Sequence, residues 1–249
     1  AWDKKQTWSS LTRHTLEEVY EVIDAIEQGN PEKICDELGD LLFQVVFYAR
    51  IAEEQGLFDL QGVANAITQK LLVRHPHIFP DGTLNSFGQP TTLTAQEVEQ
   101  NWEKIKNAER AREAQGRVVS VMDDVASAMP ALDRAAKLQK RAASVGFDWA
   151  DVSGVTAKLD EEVMELKQAV LAGNVSKQQH ELGDLLFTCV NLARHLGLDA
   201  DASLRDANKR FESRFKFIEQ AAIRSDTTLQ ACNSDVLEQW WQDAKRLEN

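Results

Sequence analysis

Glu17, Glu18 and Glu21 are followed in this chain by Glu37 and Asp40, and the same five side chains recur as Glu161, Glu162, Glu165, Glu181 and Asp184. Glu18 and Glu21 are three apart, as are Glu37 and Asp40, so on helices each pair shares a face. Four carboxylates brought together would repel one another unless something positive sat among them. Hard divalent cations want oxygen ligands, and Mg²⁺ takes a few carboxylates while leaving positions for water and phosphate. The pattern points to a Mg²⁺ site, with Mn²⁺ as its substitute.

The elements that position these acids form a repeat. Residues 17–50 and 161–194 align at an offset of 144 without a gap, and 18 of the 34 positions are identical. A unit that keeps its acids in register reads as two copies of one domain. Between the acidic pairs lies a break, Gln28-Gly29-Asn30-Pro31 in one copy and Ala172-Gly173-Asn174 in the other. Gly suits the left-handed position after a helix, Asn caps the next one, and Pro fits its first turn. Each copy is therefore expected to be an antiparallel helical hairpin. Gly39 and Gly183 sit mid-helix between the last two acids, where Gly costs about 1 kcal/mol relative to Ala, and close approach by a backbone or a ligand would justify them. A solvated helix face would account for one such acidic pair; two copies at equal spacing argue against it.

EExxE followed by ExxD across a helical hairpin resembles the MazG family of nucleoside triphosphate pyrophosphohydrolases, in the all-α nucleotide pyrophosphatase superfamily. The likeness covers nearly the whole chain, in the two-domain form of the family. It implies an all-α fold of two tandem domains, each a hairpin completing a four-helix-bundle-like core, and a Mg²⁺-dependent hydrolysis of NTPs and dNTPs to monophosphate and pyrophosphate. By the same resemblance Glu162, Glu165, Glu181 and Asp184 are metal ligands, with Glu18, Glu21, Glu37 and Asp40 their counterparts. Glu161, beside that set, would support the ligands from behind or help orient or deprotonate the attacking water. A triphosphate carries several negative charges, and its displacement rests on positioning and charge neutralisation. Lys158 and Lys177, one turn before Glu162 and Glu181, and then Arg210, Arg214 and Lys245 are the cations to bind it. Trp241 would stack on the base. Catalysis is thus expected at Glu161, Glu162 and Lys158.

The cationic and aromatic positions repeat with the acids. Lys70 and Arg74 precede Arg210 and Arg214 by 140 residues, and Trp102 and Lys106 precede Trp241 and Lys245 by 139. One of these cations is lost in the first copy, where His14 stands in the position of Lys158. Histidine is mostly neutral near pH 7, so the first copy loses a fixed charge. In two-domain relatives the C-terminal copy is the catalyst, which makes the second domain the expected main site.

Composition is compatible with this. The 249 residues can bury two cores, expected at 1–115 and 123–249 with a linker at 116–122. Forty acidic against 28 basic residues leave a net charge of −12, which argues against a nucleic-acid or anionic-membrane binder. Cys35, Cys189 and Cys232 form no CxxC and read as reduced, mostly buried thiols of a cytoplasmic protein. No signal peptide or long apolar run is evident; the resemblance, in which a short helical segment precedes the Trp-Asp seen here at Trp2-Asp3, implies a trimmed N-terminus.

Along the chain, Ser9, Ser10 or Thr12 is expected to cap the first helix. The run after Asp40 (Leu41, Leu42, Phe43, Val45, Val46, Phe47) is expected to be core. A third helix spans about 60–73, and His75-Pro76-His77 reads as loop packing. A fourth runs from about 94 to 115. Ser120–Asp123 reads as a capping box for the next helix. Later helices are expected over 131–145, after which Gly146-Phe147-Asp148-Trp149 resembles the family's pre-hairpin turn, then 203–223 and 234–247. Each hairpin needs a further helix pair to close a core, and a homodimer is expected. A non-catalytic, nucleotide-binding scaffold that dimerises is the competing reading. A di-iron bundle is excluded, because no Glu has a His three residues later.

Overall fold

The computed structural model describes residues 5–88, 93–94, 97–98, 101–102, 105, 108–109, 120–123 and 125–248. The chain divides into two compact units, Ala1–Val118 and Val119–Asn249. Among the described residues there is no strand, and no helix is long and apolar enough to cross a membrane.

In the N-terminal unit α1 (Trp8–Gln28) and α2 (Pro31–Glu54) form the hairpin, and α3 (Leu60–Arg74) packs on α2. The turn follows the sequence expectation. Gly29 is left-handed at φ 65 and donates to Ala25 and Ile26, Asn30 accepts from the amides of Glu32 and Lys33, and Pro31 opens α2. The first cap differs from expectation. It is Thr7, which accepts from the amide of Ser10 while Ser10 Oγ accepts from the amide of Thr7. The fourth helix expected over 94–115 falls mostly outside the described residues, Lys106 with it.

In the C-terminal unit α5 (Val152–Leu171) and α6 (Val175–His195) repeat the hairpin. Gly173 turns the chain at φ 66, and Asn174 accepts from the amide of Lys177. Before them α4 (Ala131–Ala143) lies on α6; after them α7 (Ala200–Arg224) packs on α4 and α6, and α8 (Ser234–Leu247) on α7. Ser120 and Asp123 bond each other as a capping box does, but they close an isolated turn and no helix follows them directly. Proline at 130 opens α4 instead.

The hairpins bury a heptad seam. On α5 the buried residues are Val155, Glu162 and Ala169, seven apart; on α1 Leu11 and Ala25 are buried, with Glu18 between them half-buried. Glu181 and Thr188 on α6, and Gln44 and Ile51 on α2, continue the seam. On α5 and α1 a carboxylate thus takes the middle of a seam that is apolar on either side of it. The expected core run after Asp40 is the main departure. Leu42 is 61 % exposed, and Phe43, Val45 and Val46 are exposed beside it; the seam turns Gln44, Ala49, Ile51 and Ala52 inward instead. Leu182, Leu186 and Phe187 lie open on α6 in the same way.

Candidate active site

Heptad placement turns Glu162 and Glu181 into the α5–α6 seam and Glu18 into the α1–α2 seam. On α5 and α6, carboxylate oxygens of Glu162, Glu165 and Glu181 lie within 4.8 Å of one another, and those of Glu18, Glu21 and Glu37 do so on α1 and α2. Glu162 and Glu181 are buried, 4 % and 6 % exposed. Asp184 and Asp40 stand outside these groups of three. Asp184 pairs with His180 at 3.3 Å and lines an open groove with Lys177, Glu181 and Gly183. Asp40 lies close enough to Glu18 to raise that carboxyl's pKa.

The charges around the two clusters differ. Lys158 Nζ lies 2.9 Å from Glu161 and 2.8 Å from Glu162, and these bonds hold its ammonium above the usual lysine range. Lys177 reaches Glu181 at 4.0 Å. Glu162 Oε2 is buried with no partner. Unpaired buried carboxylate oxygens are costly, and an oxygen-rich set with one open, buried donor fits a hard divalent cation. In the N-terminal copy His14 and Arg13 pair with Glu17, and Gln44 donates to Glu18 at 3.4 Å. There burial, followed by Asp40 and Glu21, pushes the Glu18 carboxyl up, and burial and Glu21 do the same for Glu37.

Of the groups on α7 and α8 expected to bind substrate, Arg214 and Trp241 lie together. Arg214 binds Glu248 at 2.6 Å and lies 5.4 Å over the Trp241 ring, which also packs on Phe211 at 5.4 Å. Arg210 is exposed on α7, and Lys245 is half-buried on α8. Gly39 and Gly183 have nothing within 4 Å of an added Cβ, so within the described chain no backbone explains them; the space at Gly183 is open to the groove. Cys35 and Cys189 are exposed rather than buried.

Sequence reading missed Gln44, the neutral partner of Glu18. It also missed Gln139, Asp148 and Arg194 in the C-terminal unit, where Arg194 and His195 both bond Asp148. Asp148 was visible only as part of a turn; its 46-residue separation from Arg194 leaves no local signal.

Helical hairpins that gather carboxylates beside lysines make a candidate site for a divalent cation and an anionic ligand in an all-α chain. Comparison with known proteins narrows the class. The MazG nucleotide pyrophosphohydrolase domain matches residues 6–79, and phosphoribosyl-ATP pyrophosphohydrolase matches residues 130–211. A nucleoside triphosphate pyrophosphohydrolase of Escherichia coli (strain K12) is 44% identical over 99% of this chain and 90% of its own length. A nucleoside triphosphate pyrophosphohydrolase/pyrophosphatase MazG of Thermotoga maritima is 38% identical over 98% of this chain and 88% of its own. The chain belongs to the MazG family of nucleoside triphosphate pyrophosphohydrolases, enzymes that hydrolyse phosphorus-containing anhydrides.

Proposed function

We propose that this protein hydrolyses NTPs and dNTPs to monophosphate and pyrophosphate chiefly at its C-terminal hairpin. The observation that supports this most is the buried, unpartnered Oε2 of Glu162 beside Glu165, Glu181 and the ammonium of Lys158. Glu162, Glu165 and Glu181, with Asp184 at the groove, are the residues that would hold Mg²⁺. When bound there, Mg²⁺ (or Mn²⁺) neutralises phosphate charge and polarises water.

The chain's own groups do the rest. Glu161, exposed beside the cluster, accepts a proton from the water that attacks the α-phosphorus. The bond to the bridging oxygen breaks, and pyrophosphate leaves with the electron pair. Lys158 lies between Glu161 and Glu162 and moves to phosphate oxygen as substrate arrives. Lys177 at the groove, and Arg210, Arg214 and Lys245, take the remaining phosphate charge. Trp241 holds Arg214 in place through its ring face.

The N-terminal hairpin keeps its acids but has His14 and Gln44 where the C-terminal copy has Lys158 and Thr188. Its role is chiefly structural. The exposed apolar faces of α2 and α6 are covered by a second copy of the chain in a homodimer. The protein works in the cytoplasm, without nucleic acid or membrane. Pyrophosphate release from an NTP and dNTP panel with Mg²⁺ tests the reaction; orthophosphate alone would refute it.

A further inference from the structure

The groove face of α6 carries two basic side chains as well as two acids. Lys177, His180, Glu181 and Asp184 follow one another at i, i+3, i+4 and i+7, so they share one stripe of the helix. All four line the open groove, a concavity of about 720 Å³. Each basic residue stands one turn before an acid. Lys177 reaches Glu181 at 4.0 Å, and His180 Nε2 lies 3.3 Å from Asp184 Oδ2. Neither the metal set nor the phosphate-binding set of the proposed site uses His180.

His180 holds the one expected ligand that stands apart. Oxygens of Glu162, Glu165 and Glu181 lie within 4.8 Å of one another, and Asp184 is outside that group. Its carboxylate meets His180 instead. The His180 side chain is 76 % exposed, and an exposed pair one turn apart on a helix is weak. Asp184 can therefore leave it for a metal at low cost.

The histidine is also peculiar to this copy. The matching stripe on α2 is Lys33, Asp36, Glu37 and Asp40, so His180 stands where the other hairpin has an aspartate. Three carboxylates share that stripe with one lysine, and Lys33 is drawn across to Asp24 on α1 at 3.5 Å. Burial and Glu21, then Asp36 and Asp40, push the Glu37 carboxyl up against the pull of Lys33. An anion approaching α2 meets repulsion. On α6 it meets one acid fewer and one N–H donor more.

The hairpin's direction says which phosphates His180 would meet. Its helices are antiparallel, so Lys158 and Glu161, before Glu162 on α5, lie on the open side of the carboxylates. Lys177 and His180, before Glu181 on α6, lie on the side of the 172–174 turn. Attacking water and leaving oxygen stand on opposite sides of the phosphorus in an in-line displacement. Water activated beside Glu161 thus sends the leaving group toward Lys177 and His180.

We propose that His180 is a substrate-binding residue for the two phosphates that depart as pyrophosphate. In the metal-free chain it keeps Asp184 aside; when Asp184 turns to the metal, Nε2 is released and donates to a phosphate oxygen beside Lys177. The same nitrogen donates from the neutral ring protonated at Nε2 and from the imidazolium, so the role does not depend on the ring's charge. His180 makes a hydrogen bond only and transfers no proton. This assignment rests on the α5–α6 carboxylates being the pyrophosphohydrolase site.

Full-length wild type, His180→Gln, His180→Ala and His180→Asp test it, and because the side chain is exposed all four should melt alike. Inorganic pyrophosphate is titrated calorimetrically in Mg²⁺. Mn²⁺ binding, without nucleotide, is followed by loss of the free ion's paramagnetic resonance signal. His180→Ala should weaken pyrophosphate binding about 5- to 10-fold, the range of one lost hydrogen bond. His180→Asp should weaken it further through repulsion. His180→Gln keeps an N–H in reach and should stay within about twofold of wild type. Mn²⁺ should bind His180→Ala about twofold tighter or more, because Asp184 is no longer held aside. Pyrophosphate and Mn²⁺ affinities unchanged in His180→Ala would overturn the assignment and leave the hydrolase reading standing. A wild type that releases no pyrophosphate from any NTP, yet binds it through His180, would sink the hydrolase reading and leave His180 in an anion site.

Discussion

Lys158 Nζ lies 2.8 Å from Oε1 of Glu162, and the other oxygen of that carboxylate is buried with no partner. One lysine answers half of a buried charge and leaves the other half open. The arrangement suits a site that alternates between holding its own lysine and receiving a cation with a phosphate. In the N-terminal copy the neutral Gln44 bonds Glu18 instead.

Replacing Lys158 by Met would strip Glu162 of this partner. The metal-free variant should melt several degrees below wild type, and Mg²⁺ should recover more of its Tm than it adds to wild type. Thermal melts in EDTA and in Mg²⁺ check this; equal Mg²⁺ responses would count against a metal at Glu162.

Gly183 faces open groove, so a methyl there meets nothing in the chain. Gly183→Ala should stabilise α6 by about 1 kcal/mol, the ordinary helix gain. It should also depress kcat/KM, because the added methyl intrudes where the substrate binds beside Glu181 and Asp184. Urea melts and steady-state kinetics on one preparation distinguish the two effects. A more stable enzyme with full activity would mean that the glycine serves no ligand.

Much of this was legible in the sequence. The repeat fixed both hairpins, and Gly29-Asn30-Pro31 and Gly173-Asn174 marked their turns for reasons of backbone conformation alone. The acids fell into clusters of three because period-seven spacing sets Glu18 and Glu162 on the seam. Two things were hidden. The apolar run after Asp40 looked like core because hydrophobicity says only that a residue seeks cover, not whether its own chain provides it. The α4–α6 contact was hidden because Gln139 meets Phe187 across 48 residues, a separation no local pattern encodes.

Leu42 and Leu186 occupy equivalent positions and are 61% and 51% exposed. A second copy of the chain packed on these faces would bury them. The double variant Leu42→Lys/Leu186→Lys should therefore shift sedimentation from dimer to monomer, while far-ultraviolet circular dichroism stays helical. A wild type that already sediments as a monomer at micromolar concentration would refute the homodimer.

Asp148 carries a pH signature. Hydrogen bonds from Arg194, then from His195 and the Trp149 amide, pull its carboxyl from 3.8 down to about 2 against the opposing effect of burial. A depressed folded pKa gives stability that is present above the unfolded value and is lost as pH falls through the folded one, here from about 4 to about 2. After allowance for solvent screening the contribution is on the order of 1 kcal/mol. Asp148→Asn should be less stable than wild type by about that amount at pH 7, with the gap closing between pH 4 and pH 2. Denaturant melts across that range check it; a gap independent of pH would point to lost packing instead.

The most direct measurement is pyrophosphate release from NTPs with Mg²⁺ by wild type, Glu162→Ala and Glu18→Ala. Wild type should yield monophosphate and pyrophosphate, Glu162→Ala should lose at least about a hundredfold, and Glu18→Ala should keep most of the activity. Loss in Glu18→Ala with retention in Glu162→Ala would place the chemistry in the other hairpin and contradict the account.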